Sequence, residues 1–271
     1  MKDAYRIALL VTLALTVVVG CDDDDGGTTG NRTVFGNGTI VSEDRLVSGF
    51  SAVTHASEGN LHITLGAEEA LRIEADENLL QHLITQVQGG VLEIQTESNI
   101  DIVPTQAIEF FLTVVELDSV VLAGVGDIDL PNLTVDQLLL TISGVGSIEV
   151  PALTANQLSL TLAGVSVDGI ECSDLDAVEL QAVLSGVGDI RCAGQVDVQT
   201  VTVSGVGSYE APSLASREAT LTVGDSGSAS VNVSERLVAT VTGNGSVTYI
   251  DSSGGGLVVE CTPPSGCSQA P

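Results

Sequence analysis

From Val120 onward apolar side chains fall two residues apart and glycines punctuate the pattern, so that one short string keeps returning. Gly124-Val125-Gly126-Asp127-Ile128 comes back as Gly144-Val145-Gly146-Ser147-Ile148, Gly186-Val187-Gly188-Asp189-Ile190 and Gly205-Val206-Gly207-Ser208-Tyr209. Aligned on the residue after Asp or Ser, the series runs Ile128, Ile148, Ile170, Ile190, Tyr209, Ala229 and Val247, in steps of 20, 22, 20, 19, 20 and 18 residues. A recurrence at this period marks stacked repeats. Six positions upstream stand Leu122, Ile142, Leu184, Val203, Val223 and Val241, with Leu162 displaced to eight by a two-residue insertion, Val167-Asp168. Two positions downstream come Leu130, Val150, Cys172, Cys192, Ala211, Val231 and Tyr249.

Alternation with period two between glycine corners predicts strands with one buried face, whereas a helical repeat needs a period of 3.6 and far fewer glycines and threonines. The fold class expected is therefore all-β, a right-handed parallel β-solenoid (β-helix) whose coils occupy residues 119–250. Like side chains then stack about 4.8 Å apart. Residues 33–118 are less regular but still β-rich, as in Leu61-His62-Ile63-Thr64-Leu65 and Val91-Leu92-Glu93-Ile94-Gln95. Residues 78–87 are expected to form one short helix capped by Asn78. Residues 251–271 are expected to be a terminal cap or tail.

Composition fits a narrow core of stacked aliphatics: 44% of the 271 residues are hydrophobic, only 3% are aromatic and none is Trp. Residues 1–20 read as a signal peptide, with Lys2 and Arg6 ahead of an apolar run from Ile7 to Val19 that is short for a membrane span. The run ends at Val18-Val19-Gly20-Cys21, which resembles the lipobox of bacterial lipoproteins. That resemblance implies cleavage before Cys21 and its lipidation, a membrane partnership through acyl chains. Residues 21–32 would then be an acidic, glycine-rich tether starting with Asp22–Asp25. The aspartate run resembles the surface-export signal of Bacteroidota lipoproteins, which implies the bacterial envelope, at the outer membrane or cell surface.

The whole chain carries a formal charge of −28; removing Lys2, Arg6 and Asp3 with the leader leaves 6 − 35 = −29. Phosphate neutralisation needs Lys and Arg, so nucleic acid is not an expected partner.

The order of features resembles the head GIN domain family, also called the putative auto-transporter adhesin head domain. The residues that carry the likeness are Arg45 and Gly49-Phe50, then Ala75-Asp76-Glu77-Asn78-Leu79-Leu80, then Gly89-Gly90-Val91-Leu92-Glu93-Ile94, and finally the glycine-rich coils. It extends over about residues 45–250. It implies a β-helical fold, an envelope location and adhesion, and it supplies no catalytic site.

Candidate chemistry therefore lies on the coil surface. One outward row reads Asp129, Glu149, Glu171, Arg191, Glu210, Ser230 and Thr248. Asp129, Glu149 and Glu171 are weak candidates for a divalent cation, because a hard ion needs more convergent oxygens than one row offers. The other row is Thr141, Thr161, Thr202, Thr222 and Thr240, flanked by Ser159, Thr200 and Thr220. Such a hydroxyl face suits a polysaccharide or another cell-surface component, or, in its sharpest form, ice; high strand propensity of Thr is the bland alternative. The coils hold Arg191, Arg217 and Arg236 but no His or Lys, so neither an enzyme nor a cofactor is expected. His55 and His62 are read as ordinary surface histidines rather than a metal pair. Cys172 and Cys192 share a register one coil apart, and Cys261 and Cys267 flank Pro263-Pro264-Ser265-Gly266; both pairs are expected to be disulfides, with two reduced cysteines stacked as small hydrophobes the alternative for Cys172 and Cys192. The reading that emerges is a non-catalytic surface-binding or adhesion module, with a structural or regulatory envelope spacer as its rival.

Overall fold

The computed structural model describes residues 31–270. The expected leader at 1–20, Cys21 and the expected tether up to residue 30 lie outside the described residues.

The N-terminal strands are β1 (Arg32–Phe35), β2 (Ile40–Arg45), β3 (Ala52–Ala56), β4 (Asn60–Leu65), β5 (Ala70–Asp76), β6 (Leu83–Gln88), β7 (Val91–Thr96), β8 (Ile100–Val103) and β9 (Glu109–Val114). Then come β10 (Ser119–Leu122), β11 (Ile128–Asp129), β12 (Leu133–Ile142), β13 (Ile148–Val150), β14 (Leu153–Leu162), β15 (Ile170–Leu184), β16 (Ile190–Val203), β17 (Ser208–Val223), β18 (Ser228–Val241), β19 (Ser246–Asp251), β20 (Val258–Thr262) and β21 (Cys267–Gln269). From β10 to β21 every pairing is parallel and joins residues about one period apart: Ile128 to Ile148, Ile148 to Ile170, Ile170 to Ile190 and Ile190 to Tyr209. The chain is a β-solenoid.

The stack reaches further than its repeats advertise. β3 pairs in parallel with β10 and β4 with β11, while β7 pairs with β3 and β9 with β4. The first three rungs are thus threaded out of order: 91–114 lies below 52–65, which lies below 119–130. At the other end β20 and β21 add a rung on β18 and β19, so the expected tail continues the ladder.

The two ends differ. The lower edge is covered by antiparallel strands, β6 against β7 and β5 against β9, with β2 outside β5. Covering an edge in this way removes a template for unwanted strand addition. The helix expected at 78–87 is reduced to a 3-10 turn at Leu80–His82, and β6 takes the remainder. β-branched Ile84, Thr85 and Val87 favour a strand, and Gly89-Gly90, with φ of 59° and 82°, makes the two-residue turn that folds it onto β7. Asn78 caps nothing; its side chain donates to the Phe35 carbonyl (2.8 Å) and accepts from the Asn37 N–H (2.9 Å).

All members of the Ile128-to-Val247 series are buried. Each fully buried Val, Leu or Ile is worth about 1.5–3 kcal/mol of transfer free energy, which is how a tube with few aromatics holds together. At the corners the glycines answer to contact between rungs. A Cβ on Gly144 would run into the Gly124 carbonyl, and one on Gly146, where φ is +143°, into that of Gly126. The intervening Val125, Val145, Val165, Val187 and Val206 bridge one to the next and stay about half exposed. Where the second glycine is replaced by Ser166, the corner opens into the Val167-Asp168 insertion. Buried Ser166 then accepts the Gly169 N–H through its hydroxyl at 2.6 Å.

One polar chain crosses the core. Tyr209 takes an isoleucine's place, and its hydroxyl donates to Gln199 Oε1 (2.9 Å); Gln199 donates to Ser216 Oγ (2.8 Å), which donates to the Asn232 carbonyl (2.7 Å). Each buried group is satisfied by a neighbour in another rung, the condition under which such groups are tolerated.

The expected cysteine pairing is half corrected. Cys261 and Cys267 are bonded, with Cα atoms 6.3 Å apart, and clasp β20 to β21. Cys172 and Cys192 are register partners as expected, yet both are free thiols. In a parallel in-register stack the two side chains point the same way into the core, whereas a disulfide needs them turned toward each other. The contact with Cys172, with burial adding to it, pushes the Cys192 thiol well up, and both buried side chains pack as small hydrophobes.

Candidate functional site

The threonine row is assembled by the sheet. Thr141 pairs with Thr161, Thr161 with Val183, Val183 with Thr202, Thr202 with Thr222 and Thr222 with Thr240. The same row extends below through Val121 to Thr54 and above to Thr262, residues that the repeat alone did not reach. Beside it run Ser159, Gln181, Thr200 and Thr220. Thr222 and Thr240 are exposed and Thr141, Thr161 and Thr202 half-exposed, so hydroxyls one rung apart face outward along one side of the tube.

The acidic row is also assembled, and longer than expected. Below Asp129 it continues through His62 and Phe111 to Arg72. His62 is the junction: Nδ1 meets Asp129 Oδ2 and Nε2 meets Glu109 Oε2, both at 2.8 Å, and the ring stacks on Phe111 at 5.2 Å. The Arg72 guanidinium lies over Phe111 at 4.6 Å. Burial pulls the imidazole pKa down, but the hydrogen bonds and charges of Glu109 and Asp129 outweigh it, and the pKa is raised. With both nitrogens engaged by carboxylates, His62 acts as a cationic staple across three rungs. The outward carboxylates do not converge, and among the described residues no group of three His, Cys, Asp or Glu could hold a metal ion. Arg191 lies between Glu171 and Glu210 in the ladder, as expected; it pairs with Glu210 (3.2 Å) and also with Asp189 (2.6 Å), and it donates to the Asp168 carbonyl (2.8 Å), pinning the insertion.

The other histidines are not surface residues. His55 is fully buried edge-on to Phe110; its Nε2 donates to the Gly59 carbonyl at 2.7 Å and Nδ1 has no partner. Burial outweighs that hydrogen bond and lowers its pKa, so the ring is neutral. His82 is buried against Glu97 at 2.7 Å. Asp76, in the Ala75-to-Leu80 motif, is a fold residue: its carboxylate accepts the N–H groups of Gly38 and Thr105 and the Thr105 hydroxyl. Burial works against the charge there, yet those three donors together hold the carboxyl below the usual range.

A third surface was missed in the sequence. Two contiguous depressions of about 560 and 660 Å³ share Thr134, Thr154, Asp176, Gln195 and Ala215, which are register partners on five successive rungs. A smaller hollow of about 460 Å³ lies over Glu171, Arg191, Glu210 and the two free cysteines. The signal for the trough was Thr134, Thr154 and Asp176 recurring six residues beyond the register position, with Gln195 at five because the register shifts between Cys172 and Leu175, a row masked by its mixed chemistry.

No helix among the described residues is long and apolar enough to cross a membrane. Comparison with curated proteins finds no match. Among solved structures, the "putative lipid binding protein" of Parabacteroides distasonis is 24% identical with a TM-score of 0.77, the alignment covering 89% of this chain and 100% of that one. A "putative adhesin" of the same species is 16% identical with a TM-score of 0.74, covering 88% and 99%. Another from Parabacteroides merdae is 17% identical with a TM-score of 0.72, covering 88% and 98%. These likenesses concern the fold. The family model described as "Putative auto-transporter adhesin, head GIN domain" matches residues 49–171 and 168–252, and the chain therefore belongs to that family.

Proposed function

We propose that this protein is a non-catalytic adhesion module of the bacterial envelope, held to a membrane by lipid on Cys21, which binds extended polysaccharide on its threonine face. The observation that carries the reading is the hydroxyl row from Thr54 to Thr262, interrupted by Val121 and Val183. Rungs about 4.8 Å apart offer hydroxyl donors and acceptors to a ligand that is itself a linear repeat. The acidic surface argues against an anionic polymer as ligand. The family's adhesin description speaks for binding rather than turnover.

A glycan array probed with the wild type and with the Thr161→Lys, Thr202→Lys, Thr222→Lys triple variant tests the site. Binding to particular neutral glycans, lost in the variant, supports it; a spacer protein would bind nothing and ignore the substitutions. Labelling with radioactive palmitate and protease shaving of intact cells test the anchor and the location. Label that persists in Cys21→Ser would refute lipidation at that residue.

A further inference from the structure

We propose that the trough on the third side of the solenoid is a second binding site, for a neutral, extended glycan lying along the solenoid axis. The inference rests on the reading of the protein as a glycan-binding adhesin and adds a site distinct from the threonine face.

The trough spans five rungs, from Thr134 to Ala215, and is therefore about 19 Å long at four steps of ladder spacing. Along its floor each of the first four rungs contributes one exposed polar side chain, in the order hydroxyl, hydroxyl, carboxylate, amide: Thr134, Thr154, Asp176 and Gln195. A pyranose chain in extended form advances by a similar distance per sugar, so successive residues meet successive rungs. Its vicinal hydroxyls need donors and acceptors mixed within one site, which the hydroxyl, carboxylate and amide sequence supplies.

Other occupants fit less well. An added peptide strand needs an open sheet edge, and here every floor residue from Thr154 to Gln195 is paired in parallel on both sides. A lipid or an apolar peptide needs a lining that is mainly hydrophobic, whereas here polar surface outweighs apolar and the outward row itself is polar from Thr134 to Gln195. Asp174, Asp176 and Asp197 exclude anionic polymers, and the cation at one end, Arg217, is already paired with Glu218 (2.6 Å) and Glu235 (3.1 Å). A cationic peptide is the rival that charge alone permits, and salt separates it, because hydrogen-bonded neutral sugar is indifferent to ionic strength while ion pairing is screened.

The test is calorimetric titration of the full chain with cellohexaose, xylohexaose and mannohexaose at low and high salt. It is repeated on Thr154→Arg, Gln195→Arg and the threonine-face triple variant, each first checked for unchanged thermal unfolding. Both substituted positions are exposed, so the fold has no reason to fail. The trough is supported if one hexasaccharide binds, independently of salt, and loses at least about tenfold in affinity in both trough variants while the triple variant keeps that site. Wild-type affinity in both trough variants overturns the inference but leaves the reading of a glycan adhesin standing if the triple variant loses binding. No binding of any hexasaccharide by the wild type overturns both. Binding of hexalysine that high salt abolishes, without any sugar binding, assigns the trough to cationic peptide and overturns the inference as well.

Discussion

Single residues carry three separable tasks: turning a corner, closing a polar chain and stapling rungs. Gly146→Ala pushes a methyl group into the Gly126 carbonyl at a φ of +143°, and we expect a loss of at least about 2 kcal/mol in urea unfolding. Substitution at Gly254, equally left-handed at +75° but open around its Cβ, should cost less, which separates crowding from backbone preference. Tyr209→Phe removes the donor to Gln199 Oε1 and leaves a buried acceptor bare, at a cost of about 1–3 kcal/mol by the same measurement. For His62 the sign follows from its raised pKa. Its stabilising contribution is complete below the unfolded value of 6.5 and is lost as pH rises through the higher folded value. His55, with a lowered pKa, works the other way: its contribution is complete above 6.5 and falls as the medium turns acid and the buried ring must charge. A pH series of unfolding midpoints should therefore show, in His62→Gln, no decline from this residue above pH 6.5, with the loss on the acid side retained.

At the scale of strands, what the sequence discloses depends on whether a rung resembles its neighbours. Residues 119–250 announce their register because Ile faces Ile and Thr faces Thr, and there the expected partners are the observed ones. The lower rungs carry the corner motif only in the worn form Ser57-Glu58-Gly59-Asn60-Leu61, and their order in space, 91–114 below 52–65, follows from long-range pairing that no local pattern encodes. The short helix was misread because Asn78-Leu79-Leu80 imitates a capped start, while the decisive signal, β-branched residues ending in Gly89-Gly90, belonged to a hairpin. The cysteines show the same limit: register alone brings Cys172 and Cys192 side by side, but bonding depends on side-chain direction. In a Cys21→Ser background we expect no thiol titration in the native state and two equivalents after unfolding in denaturant; a thiol count of zero would restore the inter-rung disulfide. Reducing the Cys261–Cys267 bond should cost the last rung about 2 kcal/mol in the loop-entropy account, seen as faster amide exchange in β20 and β21.

Residues 32–270 form a tube whose lower edge is sealed by antiparallel strands and whose sides carry ladders of like or compatible groups. The threonine face was legible because one residue type recurs; the trough was not, because Thr, Asp and Gln share only a position. Each of these surfaces exists because residues about twenty apart in sequence are neighbours in space. Pyrene maleimide attached to Thr202→Cys and Thr222→Cys, again with Cys21→Ser and with the buried thiols left unlabelled, measures that directly. Adjacent rungs put the two dyes within stacking distance, so the double variant should show excimer emission, which unfolding abolishes and neither single variant displays. Monomer emission alone from a folded, doubly labelled chain would contradict the stack and every surface built on it.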